Sequence, residues 1–127
     1  MRLALDTNTY VRMIRGERQI VDLVEDADAV FLPFAAIAEL RAGFFGGSRS
    51  GRNERELTKF LNSLGVEVLY ADEQTTHHYA RIYVQLRKQG TPIPVNDLWI
   101  AALVVQHDLM LCSGDRHFDH LPQLLRA

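Results

Sequence analysis

Cysteine is nearly missing from this chain. Cys112 is the only one among 127 residues, so neither an internal disulfide nor a multi-cysteine zinc site can form. It closes the run Leu109-Met110-Leu111-Cys112, where a thiol serves as strand core. Long apolar runs are missing as well. None approaches the roughly 18 residues of a membrane-spanning helix, and Asp6 interrupts the opening Leu3-Ala4-Leu5 before a secretory signal can develop. These absences predict a cytoplasmic protein with no membrane association. Charge of one sign is scarce: the net charge is −2 and the pI near 6.2, which gives no global pull toward nucleic acid. No glycine-rich phosphate loop follows the first apolar segment, which argues against a nucleotide-binding module. Internal repeats and low-complexity tracts are absent too. What is present, 47% hydrophobic and 24% charged residues, suits one globular domain over residues 1–127.

Short apolar runs alternate with helical patterns. Strands are predicted over Arg2–Leu5, Ala29–Leu32, Val66–Tyr70 and Leu109–Cys112. Between them the pattern predicts helices over Tyr10–Arg15, Gln19–Glu25, Phe34–Phe45, Glu54–Leu64, Asp72–Gln89 and Pro94–His107, the last capped by Asn96 or a neighbour. The segment Gly46–Asn53 (GGSRSGRN) reads as a mobile loop, and Asp115–Asp119 as a turn. Strand–helix alternation of this kind predicts an α/β fold: a three-layer α/β/α sandwich around a central, mostly parallel sheet. Ligands in such sheets bind beyond the carboxyl ends of the strands.

Four acids fall where that fold would gather them: Asp6, Glu39, Asp97 and Asp115. Three have ordinary alternatives. Asp6 suits a helix N-cap, Asp97 the first turn of a helix, and Asp115 a Ser-Gly-Asp turn. Glu39 is harder to dismiss, because it lies inside Phe34-Ala35-Ala36-Ile37-Ala38-Glu39-Leu40, among residues that favour burial. Grouped carboxylates repel unless a cation compensates them, and oxygen donors select hard ions such as Mg²⁺ or Mn²⁺. Metal-dependent phosphodiester hydrolysis is the natural reaction class. The stretch from Arg41 to Lys59 is locally positive; Arg41, Arg49, Arg52 and Arg55 are either a solvated face or contacts to a phosphate backbone. His77 and His78 suit a surface or capping role, and no pair among His107, His117 and His120 has metal-ligand spacing. Trp99 reads as core, and Phe34, Phe44 and Phe45 as core or an apolar partner surface.

The strings Asp6-Thr7-Asn8, Glu39-Leu40-Arg41-Ala42-Gly43, Asn96-Asp97-Leu98-Trp99-Ile100-Ala101-Ala102 and Ser113-Gly114-Asp115-Arg116-His117-Phe118 resemble, in order and spacing, the signatures of PIN-domain ribonucleases. Among these the chain is most similar to the toxins of VapBC toxin–antitoxin modules. The resemblance implies a PIN-like fold and a Mg²⁺- or Mn²⁺-dependent endoribonuclease. In it Asp6, Asp97 and Asp115 hold metal, and Glu39 positions or deprotonates the attacking water. Asn8 and Ser113 are implied as supporting polar residues, with Asp119 joining through a water. It further implies an RNA substrate, a homodimer and a VapB-like antitoxin, with Arg41, Arg49, Arg52 and Arg55 as candidate contacts to RNA or antitoxin. Two rivals stay open. One is a small Mg²⁺-dependent phosphatase, disfavoured because Asn8 stands where a second Asp is needed. The other is a catalytically silent PIN-like scaffold that acts only through binding.

Overall fold

β1 (Arg2–Leu5), β2 (Ala29–Pro33), β3 (Val66–Leu69), β4 (Met110–Cys112) and β5 (Leu125–Arg126) form one sheet in the order β3-β2-β1-β4-β5, with every pairing parallel. The computed structural model describes residues 1–127. β1 is the central strand, and its Leu3, Ala4 and Leu5 are fully buried. A parallel strand covered on both faces must be apolar nearly throughout, which is why β1 and β2 show runs rather than alternation.

Helices α1 (Thr7–Ile14) and α2 (Arg18–Asp26) join β1 to β2, and α3 (Phe34–Phe45) and α4 (Ser50–Leu61) join β2 to β3. Helices α5 (Glu73–Gln89) and α6 (Val95–Gln106) return across the sheet to β4. Connections that step first one way and then back, each right-handed, cover opposite faces of the sheet. The three-layer arrangement expected from the sequence follows. α6 buries Leu98, Ile100, Ala101, Ala102, Leu103 and Val104, so it is apolar nearly all round, as a helix enclosed by its neighbours must be. No helix is long and apolar enough to cross a membrane.

The segment read as a mobile loop, Gly46–Asn53, is half helix, because α4 begins at Ser50. Its polar, glycine-containing composition conceals a turn that Leu57, fully buried, anchors from further along the helix. α6 has Pro94 at its N-cap and no side-chain cap bond, so Asn96 does not cap it and lies in the first turn. β5 is a fifth strand that the sequence pattern does not reveal. Cys112 is strand core as expected, 4% exposed. The carbonyl of Cys112 accepts a 2.8 Å hydrogen bond from Thr9 Oγ1, which ties α1 to the end of β4.

Candidate metal centre

Leu5 pairs with Cys112 in the sheet, so the residues that follow them, Asp6 and Ser113, emerge side by side at the carboxyl ends of β1 and β4. Chain connections leave β1 toward β2 on one side and leave β4 toward β5 on the other. That makes this pair the topological switch point, where α/β sheets open a crevice.

Asp6 is only 4% exposed, and both of its oxygens are engaged. Oδ1 accepts from Thr9 N–H at 2.9 Å, the N-cap bond of α1. Oδ2 accepts from Ser113 Oγ–H. Ser113 Oγ in turn accepts from Asp115 N–H at 3.0 Å, so one hydroxyl couples the two acids. Asp115 caps the short 3₁₀ turn Arg116–His120, accepting from His117 N–H at 2.9 Å. That turn swings the His117 ring between two carboxylates: Nδ1 lies 2.8 Å from Asp97 Oδ2 and 3.1 Å from Asp115 Oδ1. Donor atoms of Asp97, Asp115 and His117 all lie within 4.8 Å of one another. Glu39, partly buried on α3, lines an open recess of about 400 Å³ together with Asn96, Asp97, Asp115 and His117.

Burial sets the electrostatics. Asp97 titrates above the ordinary carboxylate range, chiefly because it is desolvated and then because Asp115 and Asp6 repel its charge; the His117 ring opposes the shift. Glu39 is raised too, first by burial and then by Asp97 and Asp6. His117 is raised above the ordinary imidazole value, mainly by its hydrogen bond to Asp97 and then by the Asp115 charge. An ion pair by itself would drive Asp97 down as it drives His117 up; desolvation of the carboxylate outweighs the pairing. Thr7 and Asn96 oppose the rise at Glu39, yet Thr7 Oγ1 is buried with no hydrogen bond of acceptable geometry.

A raised histidine pKa makes a definite contribution to folding. It is complete below the unfolded imidazole value of about 6.5 and disappears as pH rises through the higher folded value. With divalent cations chelated, the melting temperature should therefore fall as pH is raised from about 6.5 toward alkaline values. His117→Gln should flatten that slope. A slope unchanged in the variant would remove His117 as its source.

The donor set fits a hard divalent cation. Carboxylates crowd one recess, a single imidazole lies between two of them and carries at most one balancing charge, and the buried Thr7 hydroxyl lacks a partner. Of the residues singled out in the sequence, Glu39, Asp97 and Asp115 share the recess, while Asp6 and Ser113 lie behind Asp115. Asn8 is exposed. Asp119 is not brought to the recess: it is exposed and pairs with Arg126 at 3.1 Å. Trp99 packs on Phe34 and Tyr79, as core. The basic stretch is partly neutralised from within, Arg41 by Glu54 at 2.8 Å and Arg52 by Glu56 at 3.2 Å. Arg49 and Arg52 line a second recess, about 440 Å³, with Tyr10, Val11, Ile14 and Phe44.

His117 is the residue that sequence reasoning missed. Spacing to other histidines carried no signal. Its position two residues after an acid in a turn would have done so, because a 3₁₀ turn lets that ring fold back onto the carboxylate.

Comparison with known proteins agrees with this architecture. Residues 3–124 match the family model described as PIN domain. The chain is 36% identical to Ribonuclease VapC1 of Haemophilus influenzae over 94% of its own length and 92% of that protein. The solved structure of VapBC-1 from nontypeable Haemophilus influenzae superposes with a TM-score of 0.88 at 30% identity, covering 100% of this chain and 97% of that one. At 24% identity, VapBC-5 from Mycobacterium tuberculosis, described as a member of the VapBC family of toxin–antitoxin systems, shares the fold with a TM-score of 0.75 and coverage of 99% and 98%.

Proposed function

This chain belongs to the PIN-domain family, and from that premise we propose that it is the toxin of a VapBC-type pair, an endoribonuclease that works with Mg²⁺ or Mn²⁺ and is silenced by an antitoxin. The observation that carries this reading is the meeting of Asp6, Glu39, Asp97 and Asp115, from four separate elements, around the switch point of the sheet.

Asp97 and Asp115 would hold the cation, with the His117 ring beside them as a further donor. Asp6, too buried and too well bonded to move, fixes Ser113 and through it the Asp115 backbone. When bound, a hard divalent cation supplies neutralising charge at the phosphate and a more acidic water. Glu39 faces the same recess, and burial raises its pKa above the ordinary carboxylate value, which makes it a better proton acceptor than a solvated carboxylate. Water adds to phosphorus, the bond to the 3′-oxygen breaks, and the proton lost by the water rests on Glu39 before passing to solvent or to the leaving oxygen.

The antitoxin reading is supported by the second recess. Apolar Tyr10, Val11, Ile14 and Phe44 beside Arg15 and Arg49 suit a segment that combines apolar and acidic side chains, and Phe45, 86% exposed, is the next residue along the chain from Phe44.

The test is metal-dependent cleavage. Purified protein in EDTA should leave a single-stranded RNA intact, and Mn²⁺ or Mg²⁺ should restore cutting. Undiminished cutting in EDTA would refute the metal role. Silence at every Mn²⁺ concentration would favour a binding scaffold.

A further inference from the structure

The last strand of the sheet reaches the turn that carries Asp115. β5 pairs with β4, Met110 opposite Leu125 and Leu111 opposite Arg126, and Ala127 N–H donates to Leu111 O at 3.0 Å. From this strand Arg126 extends past the end of β4. Nη2 donates to the carbonyl of Ser113 at 2.9 Å, and Nη1 donates to Asp119 Oδ1 at 3.1 Å. The guanidinium carbon lies 5.9 Å from the centroid of the Phe118 ring. These contacts fall on both sides of Asp115 in the chain, one before it and two after it.

The three contacts differ in weight. The Asp119 pair is exposed, 63% at the carboxylate, and exposed ion pairs contribute little. The bond to Ser113 O is charge-assisted and partly buried, and it holds the residue whose hydroxyl joins Asp6 to Asp115. Phe118 is 1% exposed and roots the turn in the core. A planar guanidinium can serve two acceptors and a ring face together; an ammonium serves as one point charge.

We propose that Arg126 is a positioning residue for the acidic site: it clamps residues 113–119 so that Asp115 stays in register with Asp97 and Asp6. The inference rests on the nuclease reading for its catalytic consequence, and on geometry alone for the clamp.

The experiment compares the wild type with Arg126→Ala and Arg126→Lys. Hydrogen exchange without metal reads the clamp, Mn²⁺ calorimetry reads the site, and steady-state RNA cleavage reads function. In R126A, amides of 114–118 should exchange about tenfold faster, the factor for one lost charge-assisted hydrogen bond, while those of β1 and α5 keep their wild-type rates. Mn²⁺ affinity and kcat should each fall about 10–100-fold, the range for loss of a group that orients ligands, with KM for RNA little changed. R126K should fall between the two. Wild-type exchange at 114–118 in R126A overturns the clamp. Uniform acceleration across every element overturns it too, since it marks a general loss of stability. If R126A does not fold, R126K decides: faster exchange confined to 114–118 supports the clamp, and wild-type exchange there ends it. A wild type that binds Mn²⁺ but cuts no RNA sinks the nuclease reading alone, since exchange and calorimetry still judge the clamp.

Discussion

Asp97→Asn should lower RNA cleavage by about a thousandfold, the equivalent of the several kcal/mol that a cation contributes at a phosphoryl centre. Stability should not fall with it. Asp97 is desolvated among like charges, and its pKa is raised mainly by that burial, so the carboxylate is held at a cost to the fold. The amide keeps an oxygen to accept from His117 Nδ1 and removes the repulsion from Asp115 and Asp6. Without metal, the D97N variant should therefore melt at or above the wild-type temperature while its Mn²⁺ affinity collapses. This opposite movement of activity and stability is the signature of a functional site, where residues are kept for chemistry and not for packing. Asp6→Asn should also abolish cutting, but for a partly different reason: an amide nitrogen facing Ser113 disturbs the hydroxyl that aligns Asp115. A nuclease that retains its rate in D97N with added Mn²⁺ would remove that acid from the site.

Leu111→Ala should cost about 2–5 kcal/mol of folding free energy, read as a drop in the urea midpoint at unchanged slope. Leu111 is sealed from water, 0% accessible, in β4 between Ala4 of β1 and Arg126 of β5. Truncation leaves a void in the one layer that has packed helices on both faces and little freedom to collapse. For a domain whose total stability is on the order of 5–15 kcal/mol, that is a large share. A loss under about 1 kcal/mol would mean that the sheet closes the gap, and that β4 is less tightly held than its burial indicates.

β1, β2 and β4 were legible because buried parallel strands are apolar runs, and Leu3-Ala4-Leu5 or Ala29–Leu32 can hardly be read otherwise; β3, at the sheet edge, shows alternation instead, with Glu67 exposed. β5 was hidden for the opposite reason. It is two residues long, Leu125 is half exposed, and only pairing with β4 makes it a strand. The start of α4 was hidden by composition: Ser50, Gly51, Arg52 and Asn53 favour a loop when isolated, and tertiary anchorage through Leu57 and the Arg41–Glu54 pair overrides that preference.

The site divided in the same way. Acids that end strands or open helices announce themselves, and Glu39 did so by its apolar surroundings. Asp119 announced itself by proximity in sequence and proved to pair with Arg126 of β5, on the exposed side of the turn. His117 could be found only once that turn had a shape.

Asp6 and Asp115 lie far apart in the primary structure, yet their strands are immediate neighbours in the sheet. A ribosome therefore delivers one half of the cutting centre early and withholds the other until every intervening helix has been made. At about 5–20 residues per second, a nascent chain spends several seconds or more with its first acid and no partner for it. The acidic centre is therefore complete only after β4 has emerged and found its place beside β1.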